Sequence, residues 1–247
     1  IAMEWTDQAI VLSAKKFGES ALIVNLISQN HGRYAGLIRG GAKRKNTPIY
    51  QPGNLVMATW KSRLADNLGV FNCEILKANA ATFLKCPVEL SALQSACSMV
   101  ESMLPEREIH KPIYSGLKIF ISSLDDNEVW PIIYLKLEIG MLKELGFGLD
   151  LKSCAVTGRS DELAYVSPKS GRAVSKNVGE PYHDKLFRLP RALIDTSTNA
   201  SETDILEGLK MTEHFFRPLT KGQVKNKFPT ARLLFMERVL KHYSQKN

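Results

Sequence analysis

The residues best suited to holding a charged ligand are gathered in one short stretch, Arg39-Gly40-Gly41-Ala42-Lys43-Arg44-Lys45-Asn46. Two adjacent glycines admit backbone angles that residues with side chains avoid. Three consecutive cations follow, with no acid among them. A glycine-broken cationic loop on a small sheet suits a polyanion, nucleic acid above all. The plain alternative is a solvated hairpin tip whose charge serves solubility. Further cations, Arg33, Lys61 and Arg63, lie beside the aromatic residues Tyr34 and Trp60 in sequence. Binding a single strand uses that combination, because rings stack on bases while cations meet phosphates. Tyr34 and Trp60 suit a buried core equally well.

A second cationic cluster lies near the C-terminus. It runs His214-Phe215-Phe216-Arg217-Pro218-Leu219-Thr220-Lys221 and continues in Lys225, Lys227 and Arg232. Phenylalanines among cations could seat an acidic, aromatic-tipped peptide or extend a DNA surface. The helix macrodipole favours a cation or two at a helix end, but residues 214–247 carry eight Lys/Arg against one acid.

Catalytic patterns are absent from the sequence: no Walker loop, no GxGxxG, no GxSxG and no HExxH. The histidines, His31, His110, His183, His214 and His242, are scattered without metal-ligand spacing. Cys154-Ala155-Val156-Thr157-Gly158 has the outline of a zinc knuckle. A structural zinc takes four N or S ligands, and the positions where further ligands would stand hold Thr157 and Ser175. The expectation is therefore no metal and no catalytic residue, with Cys154 a small buried apolar group.

The chain has 247 residues, 44% of them hydrophobic, enough for a sizeable core. Its net charge is +8 and its pI about 9.3, which favours nucleic acid or an acidic partner. The charge is split. Residues 1–80 hold ten Lys/Arg against five acids, residues 81–150 six against ten, and residues 151–213 nine against nine. Four cysteines without a CxxC pair argue against a disulfide framework and suit a reducing cytoplasm. No signal peptide or membrane-spanning apolar run is evident. Ile1-Ala2 read as residues ahead of a natural start at Met3.

Period-two patterning predicts strands at Gln8–Ser13, Leu22–Ser28, Arg33–Arg39, Leu55–Trp60 and Gly69–Leu76. Five short strands in so few residues suit a closed barrel, an OB-fold first and an SH3-like barrel second. Helical spacing then predicts helices at Ala78–Leu84, Val88–Leu104, Pro112–Leu124 and Glu128–Leu145. Residues 147–200 read as irregular, with a hairpin of Leu163–Val166 and Arg172–Ser175. Helices at Thr203–Leu219, capped by Ser201 and Asp204, and at Pro229–Tyr243 close the chain. The fold class expected is α+β: an OB-fold barrel over 3–79, then a mainly α-helical body over 80–247, with a knuckle-like insertion lacking zinc ligands at 147–200.

The opening, with Gly18-Glu19, the run Leu22 to Ile27, His31-Gly32-Arg33 and Gly36 to Arg44, resembles the start of the RecO recombination-mediator family. Leu163 to Ser175 resembles a later segment of its α-proteobacterial branch. The resemblance implies an N-terminal OB-fold, a helical body and a zinc-knuckle-like insertion. It implies binding of single- and double-stranded DNA, annealing of complementary strands, and a cytoplasmic, nucleoid-associated bacterial protein. It also implies association with RecR and with the acidic tail of single-stranded-DNA-binding protein, so that RecA can load. The zinc of many members is not carried over, because Thr157 and Ser175 replace thiolates. A DNA role falls to Arg33, Arg39, Lys43, Arg44 and Lys45, with Lys61 and Arg63 beside them. The C-terminal cluster is a candidate for the tail peptide or for DNA. An RNA-binding OB module and a peptide-binding scaffold are the alternatives.

Overall fold

In a computed structural model, residues 3–64, 67–195, 199–220 and 227–245 are described; Ile1, Ala2, Lys221 and Lys225 lie outside them. Five strands, β1 (Met3–Phe17), β2 (Ala21–Ser28), β3 (Gly32–Ile38), β4 (Leu55–Ser62) and β5 (Val70–Lys77), close a barrel in the order β1-β2-β3-β5-β4. This is the OB arrangement, and the SH3-like alternative drops out. The barrel is filled by alternate residues of each strand, among them Val11, Val24, Leu26, Ile38, Val56 and Phe71, around a fully buried Trp60.

β1 is much longer than its expected span of Gln8–Ser13. Met3–Ile10 pairs with β4 and Ala9–Phe17 with β2, so one strand closes the barrel on both sides. The register shifts between Val11 and Ser13, and such a bulge bends a strand from one partner toward the next. Only Ala9-Ile10-Val11-Leu12 is continuously buried. The flanks carry Glu4, Asp7, Lys15 and Lys16 and give no apolar run, although their backbones are fully laddered.

The chain divides into two compact units, Ile1–Ile121 with Pro229–Phe235, and Ser122–Phe228 with Met236–Asn247. In the first, α1 (Asn79–Thr82) is a single turn and α2 (Pro87–Met103) packs on β1. α3 (Lys111–Ser123) begins in this unit. The turn before β3 approaches the segment after α2 closely. A Cβ on Gly32, whose φ is +77°, would stand 1.8 Å from the Glu108 carbonyl oxygen.

In the second unit, α4 (Trp130–Glu144) carries Pro131 in its first turn, where a missing N–H is harmless. The expected hairpin forms as β6 (Leu163–Val166) and β7 (Ala173–Ser175). It is followed by α5 (Lys176–Gly179), and β8 (Phe187–Arg188) then joins the sheet in the order β7-β6-β8. Two residues are too few for a periodic signal, so β8 was not legible. Val166, Ala173, Leu189 and Met211 form the core beneath this sheet.

α6 (Glu202–Phe216) opens with the expected capping box. The Asp204 N–H donates to Ser201 Oγ at 3.1 Å and the Ser201 N–H to Asp204 Oδ2 at 3.1 Å. The helix stops before its expected end at Leu219 and gives way to a 3₁₀ turn, Arg217–Thr220. Pro218 supplies no N–H to continue the α ladder. α4 and α6 pack together, and the Thr212 hydroxyl donates to the buried Glu138 carboxylate between them. α7 (Thr230–Ser244) ends the described chain.

Candidate nucleic-acid interface

The basic stretch after β3 is an ordered chain of turns. Gly40 takes φ +68°. Lys43 N–H donates to Gly40 O at 3.2 Å, and Asn46 and Thr47 N–H both donate to Lys43 O, at 2.8 and 3.1 Å. Asn46 Nδ2 reaches back to Gly40 O at 3.0 Å. Thr47 Oγ1 also donates to Lys43 O, at 3.1 Å. Backbone carbonyls are thereby satisfied inside the turn, and the side chains of Arg39, Lys43, Arg44 and Lys45 are left exposed. Among the described residues, no ion pair engages any of these four. A cationic cluster held by its own backbone meets a polyanion with little further ordering, which lowers the entropy lost on binding.

The turn is tied to the neighbouring hairpin, since Ala42 N–H donates to Ser20 O at 3.0 Å. That hairpin joins β1 to β2. In the ladder Lys15 stands opposite Ile23, and Ile23 opposite Leu37. Leu22, Val24 and Leu26 fill the barrel. Lys15, Ile23 and Leu37 therefore share its outer face. Ile23, Ala35 and Leu37 are half-buried there, and Lys15, 3.7 Å from Glu101, and Arg39 are exposed at its margin, while the exposed Lys16 pairs with Leu22 on the alternate side of β1. Val70 is paired with both Leu37 and Lys61, which sets the end of β4 one strand away from the end of β3. A shallow hollow of about 320 Å³ lies at that end, lined by Lys61, Ser62, Arg63, Asn67, Gly69 and Val70.

The expected cations thus separate by environment. Arg39, Lys43, Arg44, Lys45 and Arg63 are exposed and, among the described residues, outside any ion pair. Lys61 is exposed but bridges Glu4 at 2.8 Å. Arg33 is a brace: its guanidinium donates to the Leu104 carbonyl at 2.9 Å, to Asn25 at 3.2 Å and to Glu106 at 3.2 Å. Only 13% of its side chain is exposed. Lys15 and Lys16 were missed by sequence reading, because an "AKK" run ending a strand looks like any solvated edge. Trp60 takes the core reading, with its indole N–H on Leu68 O at 3.2 Å. Tyr34 packs against the same core and carries Arg107 over its ring at 5.4 Å.

The C-terminal cluster is dispersed. Phe216 and Arg232 are fully buried and present nothing to a ligand. Phe215 is half-buried against the core of the small sheet, 6.2 Å from Phe187. Arg217 is exposed, bonds Glu213 at 2.9 Å and lies 5.4 Å over Phe228. Lys227 is exposed, and Lys221 and Lys225 lie outside the described residues.

Cys154 is buried as expected, yet it is not a plain apolar group. The Ser175 N–H donates to its sulfur at 3.3 Å. Burial pushes the thiol up, but hydrogen bonds from Ser175 and Thr157 outweigh it and bring the value down to about 6. The hydroxyl residues standing in ligand positions are thus the partners of the sulfur. One thiol and two hydroxyls do not fit a structural zinc. Among the described residues no group of three or more His, Cys, Asp or Glu converges as a metal site would require.

Two family models match the chain: Recombination protein O N terminal over residues 3–79 and Recombination protein O C terminal over residues 87–227. Similar proteins include the DNA repair protein RecO of Rhodospirillum centenum, 44% identical over 98% of this chain and 97% of the relative. That of Phenylobacterium zucineum is 40% identical over 96% and 98%, and that of Cereibacter sphaeroides 42% over 95% and 98%. The first model covers the barrel with its cationic turn, the second covers most of the helical part, and the relatives match nearly end to end: the chain belongs to the RecO family.

Proposed function

We propose that the protein is a non-catalytic mediator of DNA repair and recombination, which binds single- and double-stranded DNA and anneals complementary strands. The observation that carries this reading is the hydrogen-bonded turn presenting Arg39, Lys43, Arg44 and Lys45 without ion-pair partners among the described residues. Cations on the barrel neutralise the phosphates of two strands, mutual repulsion falls, and bases can meet without nucleotide hydrolysis. The relatives' shared description as DNA repair proteins supports the same reading. RecR and the acidic tail of single-stranded-DNA-binding protein are the proposed partners, with RecA loading as the outcome. Arg217 and Lys227, exposed near Phe228, are the described residues best placed to meet such a tail.

Fluorescence anisotropy with a single-stranded oligonucleotide tests the DNA reading. Affinity should fall steeply between about 50 and about 200 mM salt, because binding releases counterions. Replacing Lys43, Arg44 and Lys45 together by alanine should reduce the logarithmic salt slope by about 2, at roughly 0.7 per phosphate contact. An affinity indifferent to salt would sink the mechanism.

A further inference from the structure

The β1–β2 hairpin carries an aromatic residue that neither the barrel core nor the cationic turn uses. Phe17 is the last residue of β1, and 55% of it is exposed. Its cross-strand partner is Ala21, whose methyl group covers little of the ring. Gly18 follows at φ +63°, and the turn Gly18-Glu19-Ser20 sends the chain back into β2. A large apolar side chain at a hairpin tip contributes nothing to the core and leaves its area in water.

The surroundings of Phe17 point to its ligand. Lys15 and Lys16 precede it and are exposed, Lys15 at 3.7 Å from the Glu101 carboxylate and Lys16 with no ion pair among the described residues. Strand alternation puts Phe17 on the same outer face as Lys15, in line with Ile23 and Leu37. The carbonyl of Ser20, three residues on, accepts the Ala42 N–H and so pins the hairpin to the turn that presents Lys43, Arg44 and Lys45. Glu19 is the single acid between Lys15 and Ala21. A bare ring edged by cations on two sides matches the needs of a strand whose bases are unpaired: a flat apolar surface for a base, with charge on either side for the phosphates. A duplex offers its bases already stacked and its phosphates outward, so it can use the cations but not the ring.

We propose that Phe17 stacks on an unpaired nucleobase and gives this face a preference for single-stranded over double-stranded DNA. The proposal rests on the DNA-binding reading above and specifies which form of DNA the face selects.

The test uses the full chain and three anisotropy probes: a polythymidine oligonucleotide, an abasic strand of the same length, and a duplex. Phe17→Ala should weaken polythymidine binding by about 5- to 150-fold, the range for loss of one base–ring stack. The abasic strand and the duplex should change by less than about twofold, since their contacts are to phosphate. Phe17→Trp should retain affinity and add an emission that polythymidine quenches. Phe17→Leu, apolar but ringless, should behave like Phe17→Ala. An unchanged affinity of Phe17→Ala for polythymidine overturns the stacking role. So does full affinity in Phe17→Leu, or an equal loss on the abasic strand. Wild-type binding with Phe17→Ala unaltered would overturn this proposal alone. Failure of the wild type on all three probes would overturn the DNA reading together with it.

Discussion

At the scale of single residues, side chains that look alike in sequence have unlike occupations. Arg33 and Lys45 are both cations of the barrel, yet Arg33 spans three acceptors on Asn25, Leu104 and Glu106 while Lys45 stands exposed in its turn. Hydrogen bonds to charged groups contribute about 1.5–3 kcal/mol each. Arg33→Ala should therefore lower Tm by several degrees in calorimetry, and Lys45→Ala should leave it unchanged while weakening DNA binding. The cysteines divide in the same way. Burial pushes the thiols of Cys73 and Cys97 up to about 12, whereas Cys154 is brought down to about 6. Between about pH 6 and pH 9 the folded chain holds Cys154 as thiolate while the unfolded chain still binds that proton. The unfolded state then carries more protons, so this site makes stability climb with pH, by at most about 1.4 kcal/mol per pH unit. Above about pH 9 the sign reverses, because Cys73 and Cys97 keep protons that the unfolded chain has lost. Urea unfolding from pH 6 to pH 9 should show the climb in the wild type and a flatter line in Cys154→Ala.

At the scale of elements, the cationic turn depends on a residue that carries no charge. The Asn46 side chain closes it by donating from Nδ2 to Gly40 O, while the Asn46 backbone carbonyl accepts from Ile49 N–H. Asn46→Ala should weaken single-strand binding several-fold without altering any cation, with a stability loss of about 1 kcal/mol. Binding measured beside chemical denaturation separates the two effects. The turn's composition was plain in the sequence, but its hydrogen bonds were not. A list of residues shows which donors exist; which carbonyl each one finds depends on where the chain doubles back. The same limit explains β1. Its buried centre announced itself through Ala9-Ile10-Val11-Leu12, while its polar ends are strand only because β2 and β4 supply ladder partners from distant sequence. The capping box of α6 was legible because Ser201 and Asp204 satisfy each other within one turn. Ser201→Ala should cost about 1 kcal/mol, read as a lowered urea midpoint.

At the scale of the whole molecule, the split of charge was legible from counting alone, and its meaning was not. The eight cations of residues 214–247 looked like a second surface. Arg232 is fully buried and Arg217 is held by Glu213, so counting overstated what this end offers a ligand. At the barrel the count included Lys15 and Lys16, but only the strand register sets them beside the hairpin tip, with Lys15 3.7 Å from Glu101. An annealing assay on complementary strands coated with single-stranded-DNA-binding protein should respond accordingly. Alanine at Lys43, Arg44 and Lys45 should slow annealing by an order of magnitude or more, and Arg217→Ala by a few-fold at most.

The long β1 strand has a mechanical consequence as well. Its far end carries the hairpin tip, and its body is laddered to β2 along one half and to β4 along the other. Antiparallel ladder bonds run across the strand axis. A pull on the tip along that axis draws β1 and β2 together and loads the β1–β4 and β2–β3 bonds at once, in shear, without peeling them off one by one. A load entering at the hairpin therefore passes to two ladders together, the one that holds β1 to β4 and the one that holds β2 to β3.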